Sequence, residues 1–451
     1  MLALKQYTSI QKMSKIDKLK KEIEEKTGST TFCALPWTHV ATETNGSMRL
    51  CCASNTKGIV SNPKNTGTQA TLDNTTITKE WNNEYYKNIR NKMLSNEEPL
   101  DCQKCFQQEK LGIISKRLWE TREWLNRRLD TSFLSEIAEP PVYLDLRLGN
   151  SCNLKCVMCS PHDSSQWVKD YKNLNAETKA LVDWDQETKN PFWHRNKPFI
   201  HDLYKLIPTL EQVQFAGGEP LMIPEHFNLL NEIINEGRSH HVVLKYNTNG
   251  TIVNDEILDI WKNFKKVKVS ISLDGIEGRG EYIRHPMAWE QIKENLQILD
   301  KSPENIDVNL AVTVQLLNIK HLPDFAKWKI AQKFKKINLE IIEGYQIGAG
   351  IFNMHLLYIP TFLSIQCLPE QDKKEVEESF LQFKKWLKDN YNQSFWHNPV
   401  GWQKWQSLLD YMYKHDGSDQ IPNFQKYILN LDSIRGTDAK EIFPELSHLF
   451  L

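Results

Sequence analysis

An α/β fold is predicted by the sequence, with a partial barrel of six strand–helix units at its centre. From Pro140 onward, short apolar runs rich in β-branched residues alternate with segments of helical periodicity, and strands that alternate with helices pair in parallel. Six units over roughly 200 residues are too few for a closed eight-stranded barrel. The predicted strands are Val142–Leu148, Gln212–Ala216, Val242–Tyr246, Val267–Leu273, Val308–Val314 and Ile337–Ile342.

Helical periodicity separates and flanks these strands. Apolar residues share one stripe in Glu225–Gly237 and Asp255–Phe264 within the barrel, in Lys373–Leu387 after it, and in Ile10–Lys26 near the N-terminus. We therefore predict four regions, which are an N-terminal helical arm (1–30), a loop-rich cysteine module (31–135), the partial barrel (140–345) and a helical C-terminal region (346–451).

The composition is that of an ordinary globular protein, and it excludes several functions. A net charge of −1 over 451 residues provides no field that attracts nucleic acid or an anionic membrane. The N-terminus is polar and lysine-rich, and no run approaches the about 18 apolar residues of a membrane span. Nine cysteines that cluster locally favour a reducing compartment and metal binding over disulfides. We expect a cytoplasmic protein that binds neither nucleic acid nor a membrane.

The most informative motif is the C-x3-C-x2-C run of Cys152, Cys156 and Cys159, which follows the first predicted strand. Three thiolates on one short loop can hold three irons of a 4Fe–4S cluster and leave the fourth iron open for chemistry. Half of a zinc site is an alternative, although structural zinc usually takes four ligands from repeated C-x2-C pairs. Buried thiols without metal are a second alternative, and the polar residues Asn153 and Lys155 argue against a wholly buried loop.

A second motif, G-G-E-P, ends the second predicted strand at Gly217, Gly218, Glu219 and Pro220. Paired glycines after a strand let the backbone come close to a ligand, and the proline makes the exit rigid. Alone, this motif is also typical of an ordinary turn. One strand downstream of the cysteine run, it indicates a ligand site.

Together the two motifs resemble the signature of the radical S-adenosylmethionine (SAM) enzymes, in which C-x3-C-x2-C follows the first barrel strand and G-G-E-P follows the second. The resemblance covers Pro140 to Gly344. It implies that the amino and carboxylate groups of SAM chelate the open iron and that G-G-E-P contacts the amino group. It also implies a 5′-deoxyadenosyl radical that abstracts a hydrogen atom from the substrate, and an external electron donor such as flavodoxin or ferredoxin.

The resemblance implies further SAM contacts at later strand ends. Asn247, Ser272 and Asp274 close the third and fourth predicted strands and are candidates for binding the ribose and carboxylate of SAM, with turn capping as the alternative. Arg284 stands where related enzymes carry an arginine near the SAM carboxylate, and a solvated surface arginine is its alternative. Met158 replaces the aromatic residue of many family members and would pack against adenine.

Five further cysteines lie between residues 31 and 110, in a part of the chain rich in loop-forming residues. Grouped cysteines in such segments usually bind a metal that holds the loops together. The pattern of these cysteines resembles that of the auxiliary-cluster (twitch or SPASM) module of radical SAM enzymes, although that module usually follows the barrel. The resemblance implies a second 4Fe–4S cluster, with Cys52 as a substitute ligand, and a four-cysteine zinc site is the alternative. The implied ligands are Cys33, Cys51, Cys102 and Cys105.

These observations lead to one functional expectation and two alternatives. We expect a radical SAM enzyme that oxidises or rearranges a small polar metabolite, with the auxiliary cluster assisting electron transfer. Modification of a peptide or protein side chain is the first alternative, and a non-catalytic zinc-binding interaction protein is the second. No acid–base residue is identifiable. Asp145 and Arg147 are candidates by location only, and a barrel salt bridge is the favoured interpretation for both.

Overall fold

The computed structural model describes residues 15–54, 69–110, 114–127, 134–182, 184, 190–337, 351–390 and 399–450. The chain divides into two compact units. The first comprises Met1–Ala41, Ser47–Ala70 and Asn74–Val142, and the second comprises Thr42–Gly46, Thr71–Asp73 and Tyr143–Leu451.

The first unit consists mainly of short helices joined by loops. Helix α1 buries the predicted stripe of Ile16, Leu19 and Ile23 and packs against α6. The elements are α1 (Lys15–Thr27), α2 (Leu35–Thr38), β1 (His39–Thr42), β2 (Met48–Arg49), α3 (Ile77–Glu80), α4 (Glu84–Leu94), α5 (Gln103–Lys110) and α6 (Lys116–Arg127). The last residue of β1, Thr42, belongs to the second unit.

The second unit contains a parallel sheet whose strands are neighbours in the same order as in the chain. They are β3 (Tyr143–Leu146), β4 (Gln212–Phe215), β5 (Val243–Thr248), β6 (Lys266–Ser272), β7 (Ile306–Val314) and β8 (Asn353–Leu356), and each consecutive pair is parallel. This arrangement is consistent with a partial barrel and confirms the predicted α/β class.

Helices connect these strands and fill the C-terminal part. Before β5 they are α7 (Trp167–Asn173), α8 (Ala176–Lys179), α9 (Lys197–Leu206) and α10 (Pro224–Asn235). Between β5 and β8 they are α11 (Asp255–Trp261), α12 (Glu277–Ile283), α13 (Trp289–Asp300) and α14 (Leu322–Ala331). After β8 they are α15 (Glu370–Asn390), α16 (Pro399–Lys414), α17 (Ile421–Arg435) and α18 (Ala439–Ile442).

The two faces of the sheet differ in polarity because side chains alternate along each strand. One row that runs in register across five strands is apolar and buried: Leu144, Val213, Leu244, Val267 and Ile306. The adjacent row, on the opposite face, is polar: Asp145, Gln214, Lys245, Lys268 and Asp307. The apolar face is the one that a parallel sheet buries beneath its crossover helices.

The C-terminal region differs from its prediction as purely helical. Strand β8 pairs with β7, and it was missed because its four residues, Asn-Met-His-Leu, form no apolar run. Of the predicted strand Ile337–Ile342, Ile337 makes a parallel bridge to Val308, and residues 338–342 lie outside the described part, as do residues 10–14 of the predicted N-terminal helix. Among the described helices, none has both the length and the apolar content needed to span a bilayer.

Candidate functional site

The C-x3-C-x2-C run forms a loop in the second unit, Cys152–Cys159, which we term the cysteine loop. The chain approaches it from β3 through Gly149, whose φ of +89° favours glycine. Cys152 and Cys156 are buried, Cys159 is half-buried, and all three are free thiols. The loop therefore brings three thiols to the carboxyl end of the first sheet strand of this unit, where parallel folds place their ligands.

Backbone hydrogen bonds hold the middle of the cysteine loop. The N–H of Lys155 donates to the carbonyl of His285 at 2.7 Å, and the N–H of Val157 donates to the carbonyl of Ile283 at 2.8 Å. Ile283 is the last residue of α12. These two bonds fix alternate peptide groups of the loop, as a strand partner would.

Hydrogen-bond donors surround the sulfur atoms. The backbone N–H of Leu154 lies 3.4 Å from Cys152 Sγ, and the Asn249 side-chain amide lies 4.0 Å from the same atom. Arg284 Nη1 lies 3.8 Å from Cys156 Sγ. Such donors favour the thiolate over the thiol, and thiolates are the form that binds iron.

The pKa values of the three thiols show how burial and these donors compete. Burial raises the pKa of Cys152 to about 11, against the opposing effect of the Leu154 N–H. A hydrogen bond with Cys159 lowers the pKa of Cys156, and Arg284 lowers it further, whereas the same bond raises the pKa of Cys159. A bound metal deprotonates coordinating thiols. Three convergent thiols ringed by amide and guanidinium donors therefore fit an anionic iron–sulfur cluster.

Asp274 holds Arg284 in place beside the cysteine loop. Its carboxylate is fully buried, lies 2.8 Å from Arg284 Nη2 and accepts the backbone N–H of Thr313 at 2.7 Å. The favourable charge of Asp274 raises the pKa of Arg284 despite burial. Arg284 is thus a buried, paired cation near Cys156 rather than a solvated surface residue. The predicted contact of Asp274 with SAM stays a prediction.

The G-G-E-P turn is hydrogen-bonded to the entry of the cysteine loop. Gly217 has a φ of +106°, which allows the turn to bend towards the loop. The N–H of Gly218 donates to the carbonyl of Gly149 at 3.3 Å, and the N–H of Glu219 donates to the carbonyl of Ser151 at 2.7 Å. Backbone hydrogen bonds therefore join the G-G-E-P turn to the residues that lead into the cysteine loop.

Glu219 links this turn to the end of β5. Its buried carboxylate accepts hydrogen bonds from the Thr248 hydroxyl at 2.7 Å, from the Asn249 N–H at 2.7 Å and from the Leu221 N–H at 3.1 Å. Burial raises the pKa of Glu219, and these donors oppose that effect. Asn249, whose side chain also approaches Cys152, is a site residue that the sequence reasoning missed, because it selected Asn247 from the same Y-N-T-N-G segment.

Gly218→Ala is expected to destabilise this structure by about 1–3 kcal/mol, the usual cost of overpacking. A Cβ at residue 218 would lie 2.2 Å from the Ser151 carbonyl oxygen, so the backbone next to Cys152 would have to move. Urea unfolding of the metal-free protein measures this loss. Gly278→Ala is the matched control, because its Cβ would meet only a side-chain methyl of Ile442 at 3.3 Å. Equal stability of the Gly218 variant and the wild type would contradict the packing described here.

The remaining predicted SAM contacts are distributed around the same end of the sheet. Asn247 is exposed on β5, Ser272 is half-buried at the end of β6, and Met158 is half-buried within the cysteine loop. Pro220 is buried and begins the turn that follows Glu219. Their contacts with SAM stay predictions.

The two acid–base candidates on β3 and just after it have different environments. Arg147 forms an ion pair with Glu43 at 3.3 Å, and its backbone N–H donates to the Thr42 hydroxyl at 2.8 Å. Asp145 is fully buried on β3. The ion pair agrees with the favoured interpretation of Arg147 as a salt-bridge residue.

Part of the chain is similar to a known family. Residues 146–328 match the sequence model of the radical SAM superfamily, and they contain both the cysteine loop and the G-G-E-P turn. This segment is therefore similar to the radical SAM domain.

The relatives match less than half of this chain, and the chain spans less than two thirds of their length. An uncharacterized protein of Methanocaldococcus jannaschii is 26% identical over 210 residues, which are 45% of this chain and 63% of the relative. The mycofactocin maturase MftC of Mycobacterium tuberculosis strain H37Rv is 26% identical over 42% of this chain and 41% of its own length. A solved structure described as native anSMEcpe with bound AdoMet has 15% identity and a TM-score of 0.33, over 55% of this chain and 62% of that one.

Outside residues 146–328, the first unit contains a cavity with cysteines on its wall. Its empty volume, counted to its opening, is about 360 Å³. Apolar residues such as Leu35, Leu50 and Met93 form much of the lining. The four cysteines on the wall are those predicted from the sequence: Cys33, Cys51, Cys102 and Cys105.

The four thiols of this cavity influence one another. Burial is the largest cause of the raised pKa at each of them and brings that of Cys33 to about 12. The electrostatic effect of other cysteines in the set raises the pKa of Cys33, Cys51 and Cys102 further. Metal binding would remove the protons from these buried thiols. The set of four cysteine donors fits a four-cysteine cluster.

Cys52 does not line this cavity. Its Sγ accepts a hydrogen bond from Lys116 Nζ at 3.0 Å. Among the residues that the structure describes, no three or more His, Cys, Asp or Glu side chains are arranged to hold a single metal ion.

Proposed function

We propose that this protein is a radical SAM enzyme in which Cys152, Cys156 and Cys159 hold a 4Fe–4S cluster with one open iron. The observation that carries the proposal is the pair of backbone hydrogen bonds from the G-G-E-P turn to Gly149 and Ser151, which lead into the cysteine loop, all within residues 146–328. When bound, the cluster supplies the electron that splits a carbon–sulfur bond of SAM, and the resulting 5′-deoxyadenosyl radical removes a hydrogen atom from the substrate.

The residues of this chain have separable tasks in the proposed site. The three cysteines bind iron, and the G-G-E-P turn contacts the amino group of SAM. Asn249 and Arg284 place donors beside the cysteine sulfurs, which stabilises negative charge there. An external donor such as flavodoxin or ferredoxin delivers the electron.

We propose a small polar metabolite, such as a sugar or nucleotide derivative, as the substrate. The supporting observation is the polar face of the sheet, on which Lys245, Asn247, Ser270 and Asn309 are half-buried or exposed. Asn247 lies next to the carboxyl end of β5, and the carboxyl ends of parallel strands are where such folds bind their ligands. The reaction that follows hydrogen abstraction is oxidation or rearrangement.

Modification of a peptide or protein side chain is the second candidate. It is supported by the similarity to the relative named a maturase, which is 26% identical over 42% of this chain. Candidate peptides and candidate metabolites can be compared in one assay, because both should increase formation of 5′-deoxyadenosine when they are true substrates.

We further propose that Cys33, Cys51, Cys102 and Cys105 hold an auxiliary 4Fe–4S cluster that assists electron transfer. The shared cavity and the position of Cys52 away from it support this set of ligands. A zinc site in the same cavity would make the first unit an interaction module instead.

An anaerobic assay tests the proposed function. Reconstituted protein with a reductant and SAM should form 5′-deoxyadenosine, and metal analysis should find about eight irons with matching sulfide per chain. About four irons would support the barrel cluster alone. Zinc without acid-labile sulfide, together with no SAM cleavage, would contradict the enzyme assignment.

A further inference from the structure

Three consecutive carbonyls in the centre of the cysteine loop accept hydrogen bonds from buried side chains. In the segment Lys155–Val157, the first carbonyl accepts from Arg435 Nη2 at 2.7 Å, the second from Trp167 Nε1 at 2.8 Å and the third from the Tyr427 hydroxyl at 2.6 Å. Arg435 and Tyr427 lie on α17, more than 250 positions later in the chain. The contacts with α17 therefore hold the loop through its carbonyls, whereas Ile283 and His285 hold it through its backbone N–H groups.

The three donors form one packed group. Trp167 and Tyr427 stack at 6.3 Å with an angle of 16° between their rings, and the Arg435 guanidinium carbon lies 5.0 Å from the centre of the Trp167 ring. Arg435 Nε also pairs with Asp170 at 2.8 Å, and both side chains are 2% exposed. Such a buried, fully bonded group is rigid, because each polar atom would lose its partner if one member moved.

The charged side chains next to the loop sum to a positive charge. Asp170 also accepts a hydrogen bond from Lys155 Nζ at 2.6 Å, so two cations share one carboxylate. The three residues carry a net charge of +1 next to the loop. Burial raises the pKa of the Tyr427 phenol, and the hydroxyl therefore remains a donor at neutral pH. A buried positive charge stabilises a neighbouring group in its more negative, reduced form.

We propose that α17 acts as a clamp on the cysteine loop, with Tyr427 and Arg435 as positioning residues that hold the loop and make the cluster bound there easier to reduce. The inference rests on the proposed function, because the cluster itself is part of that proposal. The clamp is distinct from the groups that bind SAM. It acts on the backbone carbonyls of residues 155 to 157 and leaves the sulfur atoms free for iron.

Three variants separate the positioning effect of the clamp from its electrostatic effect, and a fourth variant is the control. Tyr427→Phe removes one donor and keeps the ring stack. Arg435→Met removes the charge and both hydrogen bonds, whereas Arg435→Lys keeps the charge and loses the forked geometry. Lys426→Met is the matched control on the same helix, because Lys426 pairs with Glu177 through exposed side chains at 2.9 Å.

Hydrogen exchange of the metal-free protein is the first readout, and it does not depend on a cluster. We expect the Lys155 and Val157 amides to exchange about tenfold faster in Tyr427→Phe and Arg435→Met, because each variant leaves a buried carbonyl without its donor. The control should exchange as the wild type does. Unchanged exchange in Tyr427→Phe and in both Arg435 variants would overturn the clamp, whatever the protein's activity.

The loaded protein provides the second readout. We expect Arg435→Met to lower the midpoint potential of the SAM-binding cluster and to release its iron to a chelator about tenfold faster. Arg435→Lys should restore the potential but not the rate of iron release. Equal potentials in Arg435→Met and the wild type would overturn the electrostatic part. Failure of wild-type protein to load a cluster would overturn the proposed function and, with it, this inference.

Discussion

Cys156→Ala is expected to abolish 5′-deoxyadenosine formation and to remove about four irons per chain. The open-iron cluster has only three protein ligands, so loss of one leaves two and the cluster is not retained. Cys156 is buried, with an Arg284 nitrogen 3.8 Å from its sulfur, and no other cysteine of the described residues lies within the cysteine loop apart from Cys152 and Cys159. Anaerobic reconstitution followed by iron analysis and product chromatography measures both effects.

Cys367→Ala is the control for this variant. Cys367 is also a buried free thiol, but its Sγ contacts the Thr361 carbonyl at 3.1 Å, and it belongs to neither cysteine set. It should retain the wild-type iron content and activity. SAM cleavage by Cys156→Ala at the wild-type rate would show that the cluster assignment is wrong.

Cys102→Ala is expected to remove about four irons as well, but with a different functional result. Cleavage of SAM at the cysteine loop should continue, whereas conversion of the substrate should fall by at least about 100-fold if its electrons pass through the auxiliary cluster. The ratio of 5′-deoxyadenosine to converted substrate is therefore the measurement. It should rise in the variant, because radicals form without completing the reaction.

Cys52→Ala tests the choice of ligands in the same unit. Its sulfur is bonded to Lys116 and it does not line the cavity, so we expect full iron content. Loss of iron from Cys52→Ala with none from Cys102→Ala would reverse the ligand assignment. Bound zinc in the wild-type cavity would exclude an electron-transfer role.

Much of the fold was predictable because its signals are local. The apolar runs from Val142 to Val314 correspond to β3–β7, since β-branched segments of this length leave few other choices in a βα pattern. The four residues of β8 carry no such signal, and their pairing with β7 depends on tertiary contacts. The resemblance to auxiliary-cluster modules implied the four cysteines that share the cavity.

The site was predictable only as far as its motifs extend. The two motifs are joined by hydrogen bonds that the backbone N–H groups of Gly218 and Glu219 donate. Alternation along β5 does not distinguish Asn247 from Asn249, because the two residues are two positions apart. Asn249 follows the last strand residue, Thr248, and its approach to Cys152 depends on how the chain turns after β5. The contacts of Tyr427 and Arg435 with the cysteine loop span 270 and 280 residues, and no local pattern encodes them.

We propose that the cysteine loop presents an iron atom to SAM. Electron paramagnetic resonance of the reduced Cys102→Ala variant tests this proposal most directly, because the auxiliary cluster no longer contributes a signal. We expect added SAM to shift the g-values of the remaining cluster, since the amino and carboxylate groups of SAM bind the open iron. A spectrum that is identical with and without SAM would contradict the proposal.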